Sequence, residues 1–237
     1  MKTMLNILDL RSVIHSNEMK PSLILISSVI LLAIHRNFGS MQFAQSAFAP
    51  ASGLTAPLFM FATAFILLGI LPLALIVFAF HEDPRKYGLN LGDWKKGMQA
   101  TGVLFPVIAL ALLYPAAHTS EMRNFYPFAR EAGDSAFNFF LLEIPRGVLF
   151  YTAWEFFFRG FMLFGLRPYV GDWLAICIQT IPSCLWHIGM PTGELLSSIA
   201  GGVLFGIIAL RTNSIVWPMS LHYLIGIGLD LFIVVRA

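Results

Sequence analysis

The chain has 237 residues, 57% of them hydrophobic and 12% charged, with a mean hydropathy of +0.75. A soluble domain carries about 25% charged residues, so an ordinary water-soluble globule is excluded. The formal net charge of +2 is too small and too dispersed to suit nucleic acid. What remains is an all-α polytopic integral membrane bundle of about seven (six to eight) transmembrane helices, in contact with membrane lipids.

Residues 1–20 are polar and mixed, with Lys2, Arg11 and Lys20 but no continuous apolar core, which does not read as a signal peptide. The run 22–34 is short for a span unless its flanks add to it. Residues 35–57, rich in Gly, Ser, Ala and Pro, read as a loop. Residues 58–80 span despite Pro72. The segment 81–98 is an extramembrane linker with Arg85, Lys86, Lys95 and Lys96. Residues 99–117 span again, and 118–134 are polar.

The stretch 136–142 leads through Glu143 and Arg146 into a central helix ending near Leu166, with Pro145 as a kink or a helix start. Whether 136–144 is a separate piece stays open. After a turn at 167–172, residues 173–189 span, then 194–210 and 215–235. Ser198, Gly202 and Gly206 form a small-residue stripe suited to close helix packing. Cys177 and Cys184, seven residues apart, are about 10 Å apart on one helix, too far for a disulfide.

With the N-terminus cytoplasmic, the inner segments hold Lys2, Arg11, Lys20, Arg85, Lys86, Lys95, Lys96, Arg167 and Arg211. The outer ones hold Arg36, Arg123, Arg130 and Arg236. Nine against four favours that orientation.

Ionisable side chains inside the later spans are few: Glu155, Arg159, His187, His222 and Asp230. A charge at bilayer depth costs about 2.5–3.5 kcal/mol on the mildest scale. Glu155 and Arg159 stand four residues apart, so both project from one helix face and can pair. A carboxylate in a low dielectric can serve as a base toward water. Two histidines and a glutamate from separate helices can equally hold a divalent metal such as zinc. Both chemistries stay open, as do the plain alternatives: an interhelical tether for Glu155 and Arg159, and an interfacial position for His187. Asp230, eight residues after His222, is a supporting group or a solvated end residue. Cys184 reads as a buried small hydrophobe. Glu194 opens a helix, where a carboxylate suits the dipole, and needs no other role. Phe156, Phe157 and Phe158 read mainly as packing.

The segments AWEFFFRGFMLFGL, Trp186-His187 and SLHYLIGIGLD resemble the CPBP family, the CAAX prenyl endopeptidases and related bacteriocin-processing and immunity membrane proteins. The resemblance divides the chain into N-terminal helices with the linker, 1–134, and a helical core, 135–237. Of the family's EExxxR motif only Glu155 and Arg159 match, and Trp154 stands at the first glutamate. In FxxxH the histidine is His187 and Ser183 takes the aromatic position. In HxxxN/D the histidine is His222 and Gly226 takes the last position.

The resemblance implies an intramembrane endopeptidase acting on a membrane-associated, optionally prenylated, peptide. Glu155 would activate water, Arg159 would tune it, and His187 and His222 would hold the water or a metal and polarise the carbonyl. The variant first motif resembles a bacterial branch, which implies an inner-membrane location. An inactive scaffold or immunity factor, and a proton-coupled transporter, are the alternatives.

Overall fold

The computed structural model describes residues 18–48 and 53–236. Lys2 and Arg11 of the expected polar start lie outside them, and the side chain of Arg236 is likewise outside. Among the described residues the chain is helical and contains no strand. Seven long helical segments follow one another: α1 Met19–Phe38, α2 Thr55–Ala79, α3 Trp94–Ala116, α4 over 136–170, α5 Asp172–Trp186, α6 Thr192–Thr212 and α7 Val216–Arg236. Five of them, α1, α2, α3, α6 and α7, are long and apolar enough to cross a membrane. Of the other two, α5 has only 15 residues, and α4 carries the ionisable groups Glu143, Arg146, Glu155 and Arg159.

Several boundaries differ from the sequence reading. The flanks do lengthen the first run to 20 residues. The expected loop after it contains a short helix, Met41–Ala47, capped by Ser40, whose hydroxyl accepts from the Phe43 amide. Pro145 neither starts α4 nor separates 136–144 from it: α-helix Ala136–Pro145 runs on into π-helical Arg146–Tyr151. A proline lacks the amide hydrogen of the regular ladder, and wider turns often follow such a gap. Helix α4 also continues to Val170, past the turn expected at 167.

Helix α4 is the axis of the bundle, packed by α1, α2, α5, α6 and α7, while α3 lies against α6 and α7. Every side chain from Ala153 to Leu166 is buried, so this part of α4 is apolar all round apart from the Glu155–Arg159 pair, as a central helix must be. Phe156, Phe157, Phe158 and Phe161 form the core rather than a lipid-facing surface. The most exposed large apolar side chains of the outer helices include Val29, Phe78 and Leu110. The small-residue stripe does bring α5 and α6 together: a Cβ on Gly202 would come within 2.6 Å of the Thr180 side chain. The Gln179 amide uses that closeness to donate to the Gly202 carbonyl at 2.9 Å.

The linker 81–98 is strapped onto the α6–α7 turn. Ile215 N donates to Gly88 O, Asp93 N to Thr212 O and Trp217 Nε1 to Leu91 O. Lys20 of α1 reaches Glu82 at 2.6 Å. Lys20, Lys86 and Arg167 therefore gather at one end of the bundle.

Candidate active site

The centre of the site is a three-residue chain across α4 and α7. Arg159 donates to Glu155 Oε1 at 2.9 Å, and His222 Nδ1 lies 2.7 Å from the same oxygen. Glu155 is fully buried and Arg159 is 1% exposed. The i,i+4 spacing puts the first pair on one face. The α7 helix brings His222 in from the side, its ring held between Tyr151 and Phe205 with centroids at 4.6 and 5.1 Å. A carboxylate only accepts, so Nδ1 carries the hydrogen and Nε2 is left for other partners.

His222 lines a cavity of about 420 Å³ enclosed mainly by apolar side chains of α3, α6 and α7. Glu155 does not line it. The sequence reading has Glu155 activating water, directly or at a metal; in the fold Glu155 is fully buried and His222 stands between it and the cavity. His187 lines the same cavity from the end of α5. Its Nδ1 donates to the Ser183 carbonyl at 2.7 Å, leaving Nε2 4.0 Å from Glu194 Oε1. Tyr126 donates its hydroxyl to that same oxygen at 2.7 Å.

A metal held by Glu155, His187 and His222 does not fit this arrangement. Glu155 bonds His222 Nδ1 and does not line the cavity, and His187 turns its free nitrogen to Glu194, so the three do not converge on one point. Among the described residues no group of three or more His, Cys, Asp or Glu side chains could hold a metal ion.

Asp230 belongs elsewhere. It sits with Glu143 and Arg146 in a second buried cluster: Arg146 NH1 donates to Asp230 Oδ2 at 2.9 Å and to Glu143 Oε1 at 3.2 Å. Helices α4 and α7 run in opposite directions, so nine residues back from Glu155 meets eight residues on from His222. The two clusters are thus about 12–13 Å apart along the helices. Sequence reasoning passed over Glu143 and Arg146 as a lead-in, although ionisable residues three apart in an apolar run were signal enough. The Arg146 guanidinium also lies over the rings of Tyr126, Phe128 and Tyr151, 4.8–5.6 Å from their centroids.

Residues 136–227 match the family model described as Type II CAAX prenyl endopeptidase Rce1-like. This segment is a CPBP-family domain. No curated protein and no solved structure was found to match the chain.

The departures of this CPBP domain from the family motifs have local packing reasons. Trp154, at the position of the first glutamate, stacks on Phe150 and packs against Phe158 and Trp186. Its ring meets His187 edge-on at 6.0 Å, so an indole wall replaces a carboxylate beside that histidine. At Gly226 a Cβ would run into the Tyr151 hydroxyl. Tyr151 fills the space that an asparagine or aspartate on α7 would take, and it lines the same cavity.

Proposed function

We propose that this integral membrane protein is an intramembrane endopeptidase in which Glu155 activates water through His222. The observation that carries the reading is the Glu155–His222 hydrogen bond of 2.7 Å, with Glu155 buried and His222 at the wall of the cavity. His222 Nε2 takes the proton from water as its oxygen attacks the scissile carbonyl. Glu155 stabilises the imidazolium that forms, and Arg159 pins the carboxylate in place. The logic is that of a carboxylate–histidine couple in hydrolases generally. Exclusion of water by the apolar walls strengthens each of these electrostatic contacts.

The substrate is a membrane-associated peptide, with or without a prenyl chain, and the apolar walls of the cavity suit either. We place the N-terminus in the cytoplasm and the protein in a bacterial inner membrane. The gathering of Lys20, Lys86 and Arg167 at one end supports the first of these.

Cleavage of prenylated and unprenylated fluorogenic peptides by protein purified in detergent tests the reading. Wild type should cleave at least one member of the panel. Glu155→Gln and His222→Ala should each lower kcat by about 10²–10⁴-fold, the usual worth of acid–base catalysis. Undiminished cleavage by Glu155→Gln would remove Glu155 from the mechanism.

A further inference from the structure

The reaction just proposed supplies a base but no acid, and Glu194 stands where an acid is needed. We propose that Glu194 is the proton donor to the departing amine. This assignment rests on the peptidase reading and extends it to the opposite wall of the same cavity.

Three observations carry it. Glu194 lines the cavity together with His222 and His187, so one bound peptide can touch all three. Its Oε1 is held by the Tyr126 hydroxyl at 2.7 Å and faces His187 Nε2 at 4.0 Å. Its Oε2 is buried and has no hydrogen-bond partner among the described residues. The nearest guanidinium on this side, Arg146, is engaged by Glu143 and Asp230. An ionised carboxylate with one oxygen buried and unbonded is strongly disfavoured. A neutral acid accepting from Tyr126 on Oε1 relieves that penalty. His222, its Nδ1–H on Glu155, presents Nε2 as the base on one wall of the cavity, and Glu194 stands on another.

The proton count closes. Water adds its oxygen to the scissile carbonyl and gives one proton to His222 Nε2, keeping the other on the new acid. The C–N bond breaks, its electron pair stays on nitrogen, and that nitrogen takes the proton from Glu194. The imidazolium of His222 then returns one proton to the Glu194 carboxylate through solvent, which restores both groups. His187, with Nδ1 fixed on the Ser183 carbonyl, turns Nε2 toward Glu194 Oε1 at 4.0 Å.

Leaving-group dependence is the readout that separates an acid from a structural carboxyl. An amine must be protonated to leave, whereas 4-nitrophenolate leaves unaided. The probe is any peptide of the panel that wild type cleaves, beside the same acyl sequence as a 4-nitrophenyl ester. Glu194→Gln should lower kcat on the amide by about 10²–10⁴-fold, with KM little changed, and leave ester hydrolysis within about threefold. Glu194→Asp should recover part of the amide activity. His222→Ala should lose both substrates. Tyr126→Phe, which keeps the carboxyl but removes its hydrogen bond, should give a smaller loss on the amide alone.

Full amide activity in Glu194→Gln overturns the proposal. So does an equal loss on amide and ester, which marks Glu194 as structural. Folded wild type that cleaves neither substrate overturns the peptidase reading beneath it, a failure visible without any variant.

Discussion

Replacing Arg146 by methionine should destabilise the bundle by about 4 kcal/mol at neutral pH and far less in mild acid. In the native state the guanidinium lies 2.9 Å from Asp230 and 3.2 Å from Glu143, with all three side chains at most 3% exposed. At an effective dielectric near 20, a unit pair at 2.9 Å is worth about 6 kcal/mol. The guanidinium balances one of the two carboxyls, so its loss leaves one more negative charge to neutralise, and keeping that charge costs more than protonating it. Protonating a carboxyl of ordinary pKa near 3.9 costs about 4 kcal/mol at pH 7 and about 1.5 kcal/mol at pH 5. Protonation is the cheaper escape, so it sets the penalty. The figure agrees with the 3–5 kcal/mol typical of breaking a buried pair. Reversible unfolding in mixed micelles, wild type against Arg146→Met at both pH values, reads it directly. A penalty that is the same at pH 7 and pH 5, or below about 1 kcal/mol at pH 7, would refute the reasoning.

Gly226→Ala should destabilise by about 1–3 kcal/mol through overpacking against the Tyr151 hydroxyl. Adding Tyr151→Phe removes the clashing atom, so the double variant should recover most of that loss in the same unfolding assay. At the linker, partial burial alone would raise the Glu82 carboxyl, but hydrogen bonds from Lys20 and Tyr87 outweigh it and hold it below the usual value of 4.5. A lowered carboxyl contributes stability that is fully present above its ordinary pKa and is lost as pH falls through the folded one. Comparing Glu82→Gln with wild type from pH 7 to pH 3 should therefore show a difference at pH 7 that vanishes in acid. Its size should be no more than about 1 kcal/mol, because the pair is part-exposed.

What the sequence determined by itself was the solvent, the helical periodicity and the list of expensive residues. Too little charge for water forces backbone groups to satisfy one another within helices, and that constraint is local. Pairing of Glu155 with Arg159 was legible for the same reason, since four residues on one helix fix the geometry. The small-residue stripe told of the α5–α6 approach, because absence of a side chain is itself a packing instruction. Partners on different helices were not legible. His222 reaches Glu155 while Asp230, on the same helix, reaches Arg146, and only the opposed register of α4 and α7 decides between those pairings. Glu194 read as a helix-start carboxylate because the dipole argument is local. The Tyr126 hydroxyl that holds it comes from 68 residues away. Glu155 looked like the residue that meets water, yet burial is a property of the assembled bundle, and assembly put His222 between it and the cavity.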